Sequence, residues 1–201
     1  IIVNIPDLGN IFSVEVLKGI NASATSNNLK TLIDQTVITN DNVSEYIQWI
    51  EKFHPYGIIT LHQLSKNVLK KISKITRLVQ CCEHNPDSDL PFVGIDDYEA
   101  SLKATNYLIS TGKKQLGIIN VSQENRYAYQ RQRGFIDAIK ANNLEAHPEW
   151  FISMNAVSFD IAYPIIDQIL LGPSHPDGFL CISDTIAAAV IKAAAKYHLR
   201  I

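Results

Sequence analysis

The sequence of 201 residues is 46% hydrophobic and 19% charged, which is ordinary for a globular protein with a sizeable core and excludes an intrinsically disordered chain. The formal net charge of −2 gives no basic excess, so the overall charge does not predict that this chain alone binds nucleic acid or an anionic membrane. No apolar run approaches the roughly 18 residues of a membrane span. The three cysteines do not form a disulfide framework, which favours a reducing compartment such as the cytosol.

Short apolar runs alternate with segments of helical periodicity along the chain, a rhythm that predicts parallel sheets with helices on their faces. The predicted strands, in chain order, are residues 1–5, 29–35, 57–61, 76–80, 92–95, 115–120, 150–153 and 178–182. Helices are expected in the gaps between them. The chain opens in a strand pattern without an initiator Met and stops in a helix pattern, so we expect a fragment of a longer protein.

Capping and helix-breaking residues predict several helix boundaries. Asn42 or Asp41 suits the N-cap of the second helix, and Gly112 suits the position just after a later one. Pro164 interrupts the helix expected at 158–171, which therefore begins late or kinks.

The helix predicted from about 127 to 143 carries an arginine on its apolar stripe and a glycine in its interior. The three-to-four spacing places Arg131 on the same face as Phe135, pointing toward the sheet near the carboxyl end of the preceding strand, where open α/β sheets bind ligands. An arginine tied to a carbonyl or an acid elsewhere in the core is the alternative. Gly134 costs roughly 1 kcal/mol relative to alanine, and close packing of the helix on the sheet would explain why it is tolerated.

Four motifs follow one another along the whole chain in a consistent order and spacing. They are VNIPDLGNIFSVEVLKGI, VGIDDYEASLKATNYLISTGKKQLGIIN, RQRGF and DGFLCISDTIAAAVIKAA. Together they resemble the effector-binding core of the LacI/GalR family of bacterial transcription regulators. Within that family, the segments CCEHNPDSDLPFVGID and NAVSFDIA are most similar in sequence to the cytidine-responsive members.

The resemblance implies an α/β fold of the two-lobed periplasmic-binding-protein type (type I), with parallel sheets flanked by helices that close around a small ligand. It implies an N-terminal lobe at residues 1–97 and a C-terminal lobe at 98–201 that is truncated at its C-terminus. We expect the passage between the lobes in the polar stretch 83–91 and the aspartates that follow it. The family's N-terminal helix-turn-helix headpiece is absent from this sequence.

The resemblance also implies a cytoplasmic homodimer that binds operator DNA only through the missing N-terminal domain. The protein's small-molecule partner would be a neutral effector, a nucleoside such as cytidine or a sugar. The protein would need no cofactor and would not bind a membrane. The apolar face of the helix at 186–195 is a candidate dimer contact, although burial against its own sheet explains that pattern equally well.

Ten residues carry over by position as candidate effector-binding residues, with Arg131 standing where the family has its effector-binding arginine. They are Phe12, Ser13, His62, Gln63, Asp96, Asn125, Tyr127, Arg131, Phe159 and Ser183. Simpler structural roles compete with several of them. Phe12 suits a core position, Asp96 suits a helix N-cap, and His62 and Gln63 suit a solvated loop.

Two departures from the family pattern weaken individual contacts. Ser183 replaces an asparagine of the relatives, and the neighbouring Asp184 is expected to cap the following helix. Val157 stands where some relatives have an aromatic residue that stacks on a base, so stacking must come from Phe159 or elsewhere.

Other kinds of chemistry lack their motifs. The cluster CCEH at 81–84 contains metal-ligating residue types, but adjacent residues leaving a strand should point in opposite directions, and no second pair stands at zinc spacing. We therefore predict no metal site. Without a GxSxG, phosphate-loop or GxGxxG motif we predict no enzyme. The main alternative is a periplasmic sugar-type solute-binding protein, which an upstream signal peptide instead of a helix-turn-helix would reveal.

Overall fold

A computed structural model describes residues 1–9 and 11–199 and divides the chain into two compact units, Ile1–Ile95 and Asp96–Ile201. All eight strands predicted from the sequence are present, and every strand pair is parallel. The predicted α/β class is therefore confirmed. The division falls after Ile95, and the polar stretch 83–91 lies inside the first unit as the connection between two of its strands.

The first unit contains a five-stranded sheet and helices packed against it. Its strands are β1 (Ile2–Asn4), β2 (Leu32–Asp34), β3 (Gly57–Thr60), β4 (Arg77–Cys81) and β5 (Phe92–Val93). Its helices are α1 (Ile11–Ser26), α2 (Val43–Phe53) and α3 (Lys66–Ile72). The strand order is β2-β1-β3-β4-β5. Apolar residues of the sheet, α2 and α3 form the main core cluster of this unit, which contains Ile2, Val43, Ile50, Ile58, Leu69, Ile72 and Leu78.

The second unit is built around a fully buried strand. Its strands are β6 (Leu116–Val121), β7 (Phe151–Met154) and β8 (Gly178–Cys181), in the order β7-β6-β8. Its helices are α4 (Asp97–Ser110), α5 (Arg126–Ala141), α6 (Phe159–Leu171) and α7 (Asp184–Lys196). Because side chains alternate along a strand, Ile118 packs with α5 while Ile119 packs with α6 and α7, so helices cover both faces.

The helix boundaries correct three expectations. Asn42 occupies the N-cap position of α2, but its side chain bonds to the preceding loop and caps nothing. Pro164 lies inside α6, which begins at Phe159, so the late start is wrong and the alternative of a kink at Pro164 stays a prediction. Ser183, not Asp184, caps α7. Gly112 follows α4 with a positive φ of 93°, as predicted.

Gly134 lies at the closest approach of α4 and α5. A Cβ on this residue would overlap the carbonyl oxygen of Tyr98 and would stand 3.0 Å from the backbone nitrogen of Leu102. The hydroxyl of Ser101 donates a hydrogen bond of 2.5 Å to the carbonyl of Arg131 at the same crossing. The neighbouring helix therefore requires the glycine, and the expectation that the sheet requires it is wrong.

We expect Gly134→Ala to lower the free energy of unfolding by up to about 2 kcal/mol, because the new methyl group pushes α4 away at a cost of about 1–3 kcal/mol. The gain of roughly 1 kcal/mol that alanine has over glycine in a helix offsets only part of that cost. Urea unfolding followed by circular dichroism measures the change.

Gly19→Ala is the matched control. Gly19 also lies within a helix, but a Cβ there has no neighbour within 4 Å, so alanine should stabilise the protein. A Gly134→Ala protein as stable as Gly19→Ala would contradict the packing described for α4 and α5.

Candidate functional site

A row of buried polar side chains crosses the first sheet at the carboxyl ends of its strands. Asn4 pairs in register with Asp34 on one side and with Thr60 on the other, and Thr60 pairs with Gln80. The four residues are between 0% and 8% exposed. The apolar core of this unit therefore gives way to a polar layer at the sheet edge where α/β proteins bind ligands.

Hydrogen bonds to the Asp34 carboxylate organise one end of this polar row. Asn4 Nδ2 donates to Asp34 Oδ2 at 2.6 Å, and the hydroxyl of Tyr46 donates to the same oxygen at 2.8 Å. Burial, together with the hydrogen bond to Asp34 and its charge, raises the pKa of Tyr46. The phenol therefore remains protonated at neutral pH and keeps donating to the carboxylate.

Two buried nitrogen atoms near the other end have no hydrogen-bond partner among the described residues. They are His62 Nε2 and Gln80 Nε2. The Thr60 hydroxyl lies 3.3 Å from His62 Nδ1, and the backbone of Asn85 donates to Gln80 Oε1 at 2.8 Å, which fixes the orientation of that amide. An unpaired buried polar group costs roughly 1–3 kcal/mol, so polar atoms of a ligand would be favoured here.

Two predicted site segments of the first unit start from neighbouring strands. Phe12 and Ser13 lie in the first turn of α1, after β1, while His62 and Gln63 follow β3. Because β1 and β3 are adjacent and parallel, both segments leave the same edge of the sheet. Phe12 is 58% exposed, so its interpretation as a core residue is wrong.

Arg131 is held in place by an acid and a carbonyl. Its Nε donates to Asp97 Oδ1 at 2.8 Å, and Nη1 donates to the carbonyl of Ile182 at 3.0 Å. Ile182 follows β8, and its N–H donates to the carbonyl of Ile119 in the adjacent parallel strand β6. The guanidinium therefore lies where the carboxyl ends of β8 and of the preceding strand β6 are neighbours, as predicted. The side chain of Arg131 is 30% exposed and that of Asp97 is 13% exposed. The guanidinium carbon also lies 5.4 Å from the ring centre of Tyr127.

The donors of this guanidinium are only partly used. Nη2 of Arg131 donates to none of the described residues, whereas Nε and Nη1 have short bonds. An arginine has five N–H donors in a rigid plane, so the two known bonds fix the direction in which Nη2 presents its donors.

The remaining candidates of the second unit lie at helix starts. Asn125, Phe159 and Ser183 precede or open the helices that follow β6, β7 and β8, so all three leave the same edge of this parallel sheet. Asp96 caps α4 by accepting a bond of 3.0 Å from the backbone of Glu99, which is the structural role weighed for it. Ser183 caps α7 in the same way, at 3.4 Å.

The CCEH segment departs from the geometry expected of a strand end. Cys82 has a positive φ of 68°, and its Sγ lies 3.6 Å from that of Cys81, so these two side chains do not point in opposite directions. In the described part of the chain, no group of three or more His, Cys, Asp or Glu residues could hold a metal ion. No helix there is long and apolar enough to cross a bilayer.

Neither Asp97 as the partner of Arg131 nor the buried polar row was predicted from the sequence. A signal for the row was present in the sequence, because each of four apolar runs ends in a polar residue. These residues are Asn4, Asp34, Thr60 and Gln80. No signal identified Asp97, which is 34 positions away from Arg131 and reaches it only through the packing of α4 on α5.

Comparison with known families assigns the chain to a class. Residues 1–201 match the model for periplasmic binding proteins and the sugar binding domain of the LacI family. The chain belongs to this family, and the resemblance seen in its motifs is confirmed. An uncharacterized protein from Actinobacillus succinogenes has a TM-score of 0.86 and 26% identity, covering 100% of this chain and 74% of its own. The transcription regulator CcpA of Lactococcus lactis has a TM-score of 0.81 and 17% identity, and the match covers 100% of this chain and 73% of the CcpA chain.

Curated relatives of the chain are transcription regulators and not enzymes. The HTH-type transcriptional repressor CytR of Escherichia coli K12 is 25% identical over 203 residues, which cover 100% of this chain and 59% of CytR. The repressor PurR of Pasteurella multocida is 28% identical over 162 residues, which cover 70% of this chain and 48% of PurR. The chain thus spans less than two thirds of the length of either relative.

We expect the free energy of unfolding to fall as the pH drops below about 6.5, the ordinary pKa of histidine, in part because of His62. Burial lowers the pKa of His62, and the negative charge of Asp34 opposes this effect only in part. The unfolded chain therefore takes up this proton at a higher pH than the folded chain does, so acid favours unfolding.

Urea unfolding across about pH 5 to 8, the range in which histidine titrates, tests this effect with two variants. His62→Asn should flatten the pH dependence. His198→Asn, which removes an exposed histidine, should leave it in place. An unchanged slope in His62→Asn would show that His62 contributes nothing to it.

Proposed function

We propose that this chain is the effector-binding region of a bacterial LacI-family transcription regulator and that its effector is a small neutral nucleoside such as cytidine. The observation that carries the proposal is the state of Arg131, whose guanidinium is fixed at the carboxyl edge of the second sheet with Nη2 unused by the described residues. The family match over the whole chain supports the regulator class.

The charge around Arg131 favours a neutral ligand. Asp97 already provides a negative partner at 2.8 Å, so an anionic ligand would bring a second negative charge to the same cation. A sugar hydroxyl or a base carbonyl accepts from the planar guanidinium without adding charge. These groups occur together in a nucleoside.

Aromatic side chains at the same edge suit the base of a nucleoside. Tyr127 lies beside the Arg131 guanidinium, and Phe159, which is 36% exposed, stacks on Tyr163 with ring centres 5.8 Å apart. Aromatic faces bind flat heterocycles by offset stacking.

Two side chains of the first unit give independent support to the proposal of a polar ligand. The nitrogens His62 Nε2 and Gln80 Nε2 are buried and lack partners among the described residues. The amide nitrogen of Gln80 needs an acceptor, and a sugar hydroxyl can both donate and accept, so it would satisfy either tautomer of His62.

We further propose that the intact regulator is a cytoplasmic homodimer that binds a two-fold symmetric operator through a DNA-binding domain outside this chain. An effector shifts operator affinity only by its differential affinity for the two states of the protein. Ile186, Ala189 and Ala193 of α7 pack within their own unit, which favours burial against the sheet over a dimer contact for this face. The repressors among the relatives favour a regulator over a periplasmic solute-binding protein.

An operator selected from random DNA by the intact protein tests this function. We expect a two-fold symmetric site whose affinity changes by about 5- to 150-fold at saturating cytidine, the range of common allosteric couplings. Fluorescence anisotropy with cytidine, ribose and no ligand measures the change. An intact protein without sequence-specific DNA binding would refute the regulator, whereas specific binding that ignores nucleosides would refute only the effector.

Arg131→Ala in the intact protein should weaken cytidine binding by about 10- to 150-fold, because a hydrogen bond from a charged donor contributes roughly 1.5–3 kcal/mol. Arg133→Ala is the matched control. Arg133 lies two positions away on the exposed face of the same helix and donates to Gln130 at 3.0 Å. Isothermal titration calorimetry with cytidine should find its affinity nearly unchanged.

A stability measurement separates binding from folding in the Arg131 variant. Removal of the guanidinium leaves Asp97, whose side chain is 13% exposed, without its ionic partner, so some loss of stability is expected. Urea unfolding of both variants gives that loss. Equal losses of affinity in Arg131→Ala and Arg133→Ala, or lower stability with intact affinity in Arg131→Ala, would show that Arg131 has only a structural role.

A further inference from the structure

Cys81 and Cys82 place two thiols side by side at the carboxyl end of β4. Cys81 is the last residue of the strand and pairs with Val93 of β5. The positive φ of 68° at Cys82 breaks the alternation of an extended chain, and the two Sγ atoms lie 3.6 Å apart. Both residues are half-buried, so a small solute can reach them.

The backbone of β5 and the residue after it hold this arrangement. The N–H of Cys82 donates to the carbonyl of Val93 at 2.7 Å. A Cβ on Gly94 would stand 3.1 Å from the carbonyl oxygen of Cys82, so the two chains are in close contact there. The conformation that brings the thiols together is therefore supported by the neighbouring chain.

The pKa of the Cys81 thiol differs from that of the third cysteine, Cys181. A hydrogen bond with Cys82 lowers the pKa of Cys81 to about 7, although burial opposes this shift, so a large fraction is thiolate at neutral pH. Burial raises the pKa of Cys181 to about 12. Redox-sensing cysteines combine an accessible thiolate with an adjacent second thiol, which describes Cys81 and Cys82 but not Cys181.

We propose that Cys81 and Cys82 form a reversible redox pair that a hydroperoxide converts into a disulfide between adjacent residues. The Cys81 thiolate attacks an oxygen of hydrogen peroxide, the O–O bond breaks, and Cys81 becomes a sulfenic acid while hydroxide leaves and is protonated to water. The Cys82 thiol then loses its proton and attacks the Cys81 sulfur. The S–O bond breaks, the second water leaves, and an S–S bond forms.

This reaction consumes two thiols and one hydrogen peroxide and yields one disulfide and two waters, so it needs no other reactant. Closing the bond reduces the Sγ–Sγ distance from 3.6 Å to about 2.05 Å. The backbone of β4 must adjust next to Gln80, the last member of the buried polar row. The redox state of the pair is thus coupled to the edge of the first sheet.

Peptide mapping of the intact protein treated with hydrogen peroxide at pH 7 tests the proposal. Trypsin cleavage after Arg77 and Lys103 releases both cysteines in one peptide, while Cys181 lies in the peptide from 141 to 192. We expect the first peptide to lose two hydrogen atoms and to regain them with dithiothreitol. It should be oxidised at least about 100-fold faster than Cys181. The larger thiolate fraction of Cys81 speeds the reaction, and the lower nucleophilicity of a more acidic thiol offsets this only in part.

Two serine variants test the order of the steps. Cys82→Ser should stop at a sulfenic acid on Cys81 that dimedone labels, because the second thiol is gone. Cys81→Ser should leave Cys82 slow to oxidise. Oxidation of Cys181 at the same rate, a disulfide between different chains, or a lasting sulfenic acid on Cys81 in the unmodified protein would overturn the proposal. None of these readouts depends on effector binding.

Discussion

The close approach of α4 and α5 at Gly134 fixes the groups around Arg131. Because Gly134 has no Cβ, the backbone of Tyr98 can lie against α5, and this brings Asp97 to within 2.8 Å of Arg131 Nε. Breaking a partly buried ion pair of this kind leaves an uncompensated charge. The guanidinium is therefore held in one orientation, so a ligand that binds Arg131, as we propose, would cost little conformational freedom.

The first unit has a polar layer that combines hydrogen-bonded groups with unpaired ones. Its sheet is apolar under α2 and α3, but the last inward-facing residue of four adjacent strands is polar. At Asp34 the polar groups are hydrogen-bonded to Asn4 and Tyr46, whereas His62 Nε2 and Gln80 Nε2 have no partner within residues 1–9 and 11–199. Satisfied groups give rigidity, and unsatisfied groups favour a polar ligand.

Periodicity predicted the eight strands and the α/β class, because an apolar run and its helical neighbours are local features of a chain. Periodicity does not predict which distant segments of the chain contact each other. Asp97 and Arg131 are 34 positions apart, and only helix packing joins them. The twist at Cys82 was also missed, since a positive φ in a residue other than glycine has no reliable sequence signal. Five of the ten candidate binding residues came from positions after β6, β7 and β8, where family likeness and strand-edge geometry agree.

The role of Arg131 is tested most directly by a crystal structure of the intact protein with cytidine bound. We predict that Nε keeps its bond to Asp97 while Nη2 lies within about 3 Å of a ligand oxygen, the distance of an N–H···O hydrogen bond. A complex in which cytidine binds without touching Arg131, and in which the guanidinium keeps only Asp97 and Ile182 as partners, would contradict it.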